Sequence, residues 1–283
     1  MVLRNVTMAN SSNASDGVSV FARSCPMSSA PSRTVVVTGS AGRLGRAACR
    51  ELLARGWHVR AFDRCPSPAG ESIVADLADA AAVAAVLQGA DALVHLAATP
   101  DDDDFASRLL PDNLLGLHNV IEGARAASVP RVVLASSGQV NFVQQYDGPW
   151  PIRVADPLTP RGWYAITKVA LESAGQIHAR VTGAQVISVR LGWCPRDRAH
   201  AEELGESFHG PHCYLSPRDA GTFFAAAVEH PVPAGHHIVY ATSRPVEIEM
   251  VDLEPTKKLL DWAPLDRWPE GPTDDLPPLI ASP

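Results

Sequence analysis

The stretch that most constrains this chain is residues 34–45, Thr-Val-Val-Val-Thr-Gly-Ser-Ala-Gly-Arg-Leu-Gly, which joins a buried strand to a helix through three spaced glycines. Thr34 to Val37 is a β-branched run of the kind that a parallel strand, covered on both faces, requires. A helix is expected from near Leu44. Gly39 permits the tight turn, Gly42 lets backbone N–H groups approach a pyrophosphate, and Gly45 lets the helix pack against the strand. The helix N-terminus then attracts the anion. Such spacing also occurs in turns packed for purely steric reasons, so its context decides. A second apolar run, His58 to Phe62, ends in Asp63, 18 residues after Gly45. A carboxylate there accepts hydrogen bonds from the adenosine ribose hydroxyls and repels a 2′-phosphate. NAD is therefore expected ahead of NADP, with Arg43 and Arg64 as the guanidinium groups that would hold a 2′-phosphate in the opposite case.

Composition removes other classes. The chain has 283 residues, enough for one large α/β domain with a small appendage. Its 31 acidic against 24 basic side chains, with no Lys/Arg-rich run, exclude general binding to a nucleic-acid backbone. Cys25, Cys49, Cys65, Cys194 and Cys213 are odd in number and lack Cys-x-x-Cys spacing, which predicts free thiols in a reducing compartment and no zinc site. No apolar run approaches the roughly 20 residues that cross a bilayer, so a cytoplasmic protein is expected. Residues 1–33 carry eight serines and one acid, Asp16, without periodicity, and are expected to be a disordered tail. The same composition fits an organelle transit segment or an upstream misassigned start, with Met27 as the alternative start.

The rest alternates strand and helix signals, which predicts a doubly wound parallel sheet. Strands are expected at 34–38, 58–63, 71–74, 92–96, 131–136, 185–190 and 237–241, and helices near 44–55, 79–88, 112–128, 164–182 and 217–230. Ligands of such sheets sit at the strand C-terminal ends, where Gly39, Asp63, Ala97, Ser136 and Leu191 all lie. Residues 34–190 are read as the dinucleotide-binding domain. Residues 191–283, where proline and tryptophan become frequent, are read as a smaller substrate-facing portion.

Tyr164 and Lys168 lie four apart at the start of a helix and so share one face. An ammonium near a phenol favours the phenolate, which is expected to lower the tyrosine from its ordinary pKa of about 10 toward that of a working base. A tyrosine and a lysine so spaced are often a mere surface pair. Here they follow Arg131–Ser137, a β-branched strand ending in two hydroxyls at the same sheet edge, and Ser137 precedes Tyr164 by 27 residues. The run Asp101–Asp104 reads as a solvated loop, since four adjacent carboxylates cannot converge on one ion, and no metal site is expected. His209 and His212, flanking Gly210-Pro211, fall in a loop where they could touch substrate, and the simpler expectation is surface histidines.

With the glycine loop, Asp63 and the Ser, Tyr, Lys order together, the chain resembles the extended short-chain dehydrogenase/reductase family over about residues 34–265. The resemblance implies Tyr164 as catalytic base, Lys168 as its ribose-binding partner and Ser137 as the group orienting the reacting oxygen. It implies Asp76 and Leu77 beside the adenine, and His95-Leu96-Ala97-Ala98 beside the adenosine ribose and nicotinamide. Asn113 is then a cofactor-side residue, either structural or part of a proton relay. Thr99, Ser137, Gly138, Gln139, Trp193, Arg196 and Arg198 are the substrate-side candidates; an anionic substrate is expected, with Arg196 and Arg198 either holding its carboxylate or standing as solvated loop charges. Phrases such as Ala75-Asp76-Leu77-Ala78-Asp79 and Arg190-Leu191-Gly192-Trp193-Cys194-Pro195 resemble uronate dehydrogenases, which oxidise C1 of hexuronic acids with NAD. The substrate side departs from that group, with Gly138-Gln139 where asparagine-histidine is expected and Trp193 in place of serine. The implied function is NAD-dependent oxidation of a hydroxyl of a sugar or sugar acid. Its rivals are a nucleotide-sugar epimerase or dehydratase and a non-catalytic NAD(P)-binding regulator. Family analogy also implies a homodimer built on the helices at 112–128 and 164–182.

Overall fold

The computed structural model describes residues 33–270. The expected tail, apart from Arg33, and the residues after 270 lie outside it. In chain order the elements are β1 (Thr34–Thr38), α1 (Arg43–Ala54), β2 (His58–Asp63), β3 (Glu71–Val74), α2 (Ala80–Leu87), β4 (Ala92–His95), a π-helical segment (Phe105–Leu115) and α3 (Gly116–Ala126). There follow β5 (Arg131–Ser137), a short 3₁₀ turn (Gly138–Asn141), α4 (Phe142–Asp147), α5 (Trp163–Thr182) and β6 (Gln185–Leu191). The chain then forms α6 (Arg198–Glu206), α7 (Gly210–Cys213), α8 (Pro217–Glu229), β7 (Gly235–Ala241) and α9 (Glu254–Leu260).

The seven strands make one parallel sheet in the order β3-β2-β1-β4-β5-β6-β7. Its central strands are near-continuous buried Val, Leu, Ile and Ala because helices cover both faces. On one face α1 and α8 bury Ala48, Leu52, Phe223 and Phe224 against β1 and β6. On the other, α2, α3 and α5 bury Val83, Val120, Ile121 and Leu171 against β4 and β5. The chain runs outward from β1 to β3 and then returns to β4 on the other side of β1, so the strand order reverses between β1 and β4. A crevice at such a reversal is where a dinucleotide binds.

The stretch beyond residue 191 contributes to the same sheet through β7, and α8 packs on α1. Its loops between β6 and α8 form one wall of the crevice, with Trp193 bridged to Tyr214. The helix expected at 112–128 starts earlier. Pro111 reads as a stop because it lacks an N–H and blocks the carbonyl four residues back. Here wide turns carry the backbone through it, with Leu109 N–H bonded to Asp104 O and Gly116 N–H to Pro111 O.

Candidate functional site

Gly39 leaves β1 with φ +70°, and a Cβ there would lie 2.6 Å from Ala97 N, so the turn and the close approach of the β4 loop both require glycine. At Gly45 a Cβ would overlap Gly39 O and Ser40. The Asp63 carboxylate at the end of β2 accepts from Ala41 N–H at 3.0 Å and Cys65 N–H at 3.1 Å, which pins the glycine loop to the second strand. Arg43 is 7% exposed and lines the cleft. One guanidinium nitrogen donates to Arg196 O at 3.1 Å, while its Nε and Nη2 are buried without a partner. Unpaired buried guanidinium donors at the positive end of a helix call for an anion. A cradle of glycine backbone, a carboxylate at the end of the second strand and an unsatisfied cation fit NAD, although Asp63 itself is not among the residues that line the cleft.

The cleft holds about 590 Å³ and runs from this loop to the start of α5. Gly39, Gly42, Arg43, Leu44, Gly45, Leu96, Ala98, Ser137, Gly138, Gln139, Tyr164, Lys168, Trp193 and Arg196 all line it. Ser137 Oγ caps the 3₁₀ turn by accepting from Gln139 N–H and lines the cleft with Tyr164, whose phenol it acts on to lower the pKa. Its neighbour Ser136 points elsewhere, donating to Glu172 at 2.7 Å in a buried network with Arg190. Lys168, buried on α5, donates to Ala135 O at 3.0 Å, and burial lowers it to about 8.

The expected depression of the tyrosine is not what this arrangement gives. Burial and then the Asp101 carboxylate push Tyr164 up, while Ser137 and Arg196 act in the opposite sense. The Lys168 ammonium lies 5.4 Å from the centre of the phenol ring and is held on the Ala135 carbonyl. The tyrosine is accordingly stored protonated.

Other expected site residues are placed differently. Thr99 is buried, with its N–H on Asn113 Oδ1 at 2.7 Å and its hydroxyl on Asp112 at 2.6 Å, so it is committed to the scaffold and does not line the cleft. Asn113 also donates to Thr99 O and to Thr167 Oγ1, tying the β4 loop to α5, which makes it a structural tie with no contact to the cleft. Arg198 opens α6 on its outer face, 85% exposed beside Glu202, and it is Arg196 that reaches the cleft. Asp76 accepts from Ala78 N–H, Leu77 is buried against Gly116, and Ala97 contacts the turn at Gly39, so these three lie outside the lining of the cleft.

Sequence reasoning missed the acidic run. Asp102 accepts the Tyr164 backbone N–H at 2.8 Å, and Asp101 pairs with Arg196 at 2.5 Å and accepts from Gln139 Nε2 at 3.1 Å. One signal was available: Gly162 at the N-cap of α5 has no side chain, so the first-turn N–H groups need an acceptor from elsewhere. Phe142, Gln145, Tyr146, His200 and Glu203 also line the cleft, brought there by contacts that leave no local pattern; His209 lines it too, while His212, expected at the surface, is buried where the Ile248 N–H meets its ring.

A doubly wound sheet with this Ser, Tyr, Lys constellation beside a glycine cradle defines an extended short-chain dehydrogenase/reductase. The model of the NAD dependent epimerase/dehydratase family matches residues 35–193. The chain is 31% identical over 213 residues to L-arabinose 1-dehydrogenase (NAD(P)(+)) of Haloferax volcanii, covering 70% of this chain and 84% of that one. It is 35% identical over 167 residues to uronate dehydrogenase of Agrobacterium fabrum, covering 57% and 62%. The crystal structure of a mutant uronate dehydrogenase from Agrobacterium tumefaciens complexed with NAD superposes with a TM-score of 0.67 at 29% identity, over 83% and 85% of the two chains. This chain belongs to the NAD dependent epimerase/dehydratase family, in its extended short-chain dehydrogenase/reductase branch.

Proposed function

We propose that this protein is an NAD-dependent dehydrogenase that oxidises a hydroxyl of a sugar or sugar acid, with C1 of the ring as the reacting carbon. The observation that carries this is the meeting of Ser137 Oγ and the Tyr164 phenol at the sheet edge, one helical turn from Lys168 and across the cleft from the glycine loop. The similarity to an arabinose and a uronate dehydrogenase supports the choice of a sugar. Bound NAD would lie with its pyrophosphate on Gly39–Gly45 and Arg43 and its adenosine ribose on Asp63, and it supplies the hydride acceptor.

The residues of the chain do the rest. Ser137 orients the reacting hydroxyl through a hydrogen bond fixed by its place at the end of β5. Tyr164 takes the hydroxyl proton. Lys168 has three donors and spends one on Ala135 O, which leaves two to hold a ribose and to lower the phenol once a ligand draws the ammonium toward it. Leu96, Ala98 and Trp193 give the cleft its apolar lining.

No helix among the described residues is long and apolar enough to cross a membrane, and Cys49, Cys65, Cys194 and Cys213 are free thiols. This supports a cytoplasmic location. α5 leaves Ile166, Ile177 and Val181 exposed, a face on which a second copy would pair as the family analogy implies.

Purified protein should form NADH from NAD with at least one member of a panel of aldoses and uronic acids. Tyr164→Phe should lower kcat by about 10²-fold or more while NAD affinity, measured by calorimetry, stays within about twofold. Retention of more than about a tenth of the activity would sink the proposed role of Tyr164.

A further inference from the structure

We propose that the Asp101–Arg196 pair is the specificity-determining element of the cleft: it binds the neutral hydroxyls of a sugar and rejects a carboxylate. This rests on the dehydrogenase reading and narrows its substrate class.

The argument starts from the charges that line the cleft. Arg43 and Lys168 stand on the cofactor side, at the glycine loop and on the Ala135 carbonyl. On the substrate side, among the described lining residues, Arg196 is the one arginine or lysine; it pairs with Asp101, and Glu203 is a second carboxylate of the lining. His200 and His209 add no positive charge near pH 7, because burial holds both below the ordinary histidine value. The substrate half of the cleft is thus net negative.

Arg196 is also already engaged. Its Nη1 donates to Asp101 Oδ2 at 2.5 Å, and Gln139 Nε2 holds the other Asp101 oxygen at 3.1 Å. A substrate carboxylate accepts hydrogen bonds and donates none; the Arg196 donors not spent on Asp101 could take it, but it would then lie beside the Asp101 carboxylate. Like charges in such contact oppose binding. A sugar hydroxyl both donates and accepts. Two neighbouring hydroxyls can give a proton to Asp101 and take one from Arg196 without breaking the pair.

Asp101 is placed for this by its backbone. It has φ +60°, a left-handed conformation that aspartate and asparagine tolerate better than other residues, with the Asp102 carboxylate next to it fixed on the Tyr164 N–H. Asparagine at this position keeps the turn and removes the charge.

The test compares kcat/KM for glucose against glucuronic acid, and galactose against galacturonic acid, with NAD. Wild type should favour the neutral member of its preferred pair by about tenfold or more. Asp101→Asn should shift the acid-to-neutral ratio toward the acid by about tenfold, because Arg196 is freed and the repulsion is gone. In Asp101→Asn with Arg196→Gln that gain should disappear, a coupling that two independent lesions would not show. Wild type that prefers the acid, or an Asp101→Asn enzyme that loses both activities in equal proportion, overturns the inference and leaves the dehydrogenase reading standing. An enzyme that forms no NADH from any sugar or acid overturns both.

Discussion

His95 shows how a single side chain buried within the sheet governs behaviour far from catalysis. It ends β4, 3% exposed, with Nδ1 on Thr38 Oγ1 at 2.8 Å, a bond that links β1 to β4 at the strand reversal. Burial, and then the nearby Lys168 cation, push its imidazole down to about 3. The unfolded chain takes up that proton near pH 6.5. Between about 6.5 and 3 the unfolded state therefore binds a proton that the folded state refuses, and stability falls as pH falls through this window. At about 1.4 kcal/mol per unit, the cost reaches roughly 2 kcal/mol by pH 5. His95→Asn retains a partner for Thr38 and removes the titration. Its thermal midpoint should decline less than that of wild type between pH 7 and pH 5, and equal declines would assign the acid lability elsewhere.

At the scale of elements, the start of α5 is the point on which the chemistry turns. Gly162 supplies no cap, so Asp102 reaches from the loop after β4 and accepts the Tyr164 N–H. A Cβ at Gly162 would overlap that carboxylate and push it aside. Gly162→Ala should therefore cost about 1 kcal/mol, the worth of a helix cap, and lower kcat several-fold with little change in KM. Asp102→Ala should do the same, and the double variant should be no worse than either alone, since both remove one interaction. Additive losses measured in that cycle would refute the link. The strands, the glycine loop, Ser137 and the Tyr164–Lys168 pair were legible because each is written in a run of neighbouring residues with a fixed period or spacing. Asp101 and Asp102 were read as solvated because their partners, Arg196 and Tyr164, are distant in sequence. The π-helical segment was hidden by Pro111, α4, α7 and α9 are too short to show a period, and α6 buries Leu204 alone, so it has no apolar face to read. Thr99 and Arg198 carried suitable donors, but whether a donor faces the cleft or the scaffold is decided by packing that no local spacing records.

The whole molecule is closed by a buried acid at the N-terminus of α8. Asp219, fully buried, accepts from Ser243 Oγ at 2.6 Å, Leu265 N–H at 2.8 Å and Asp266 N–H at 3.0 Å. Asp266, also buried, in turn accepts from Ser216 Oγ at 2.6 Å and pairs with Arg218. These bonds fasten the segments after β7 and after α9 to α8, and Ser243 N–H reaches Tyr214 O, on the loop that walls the cleft. Trp262, carried on the same closing segment, packs on Phe223 in the core that contains β1 and β6. Loosening that segment would expose the core itself, so it is not a detachable flap. Asp219→Asn keeps the shape but offers one acceptor oxygen and turns an amide donor toward donors. Hydrogen bonds to a charged acceptor are worth about 1.5–3 kcal/mol each, and a buried donor left unpaired costs about 1–3 kcal/mol. The variant should lose about 3 kcal/mol of stability. Ser243→Ala removes one donor to Asp219 and the acceptor of the buried Ser216 N–H at 2.9 Å, and should lose about 2 kcal/mol. In urea, tryptophan fluorescence and far-ultraviolet circular dichroism should report the same midpoint in wild type and in both variants, because the closing segment and the sheet share one core. A fluorescence transition that precedes the loss of helix in Asp219→Asn would show instead that the C-terminal wall of the cleft opens on its own.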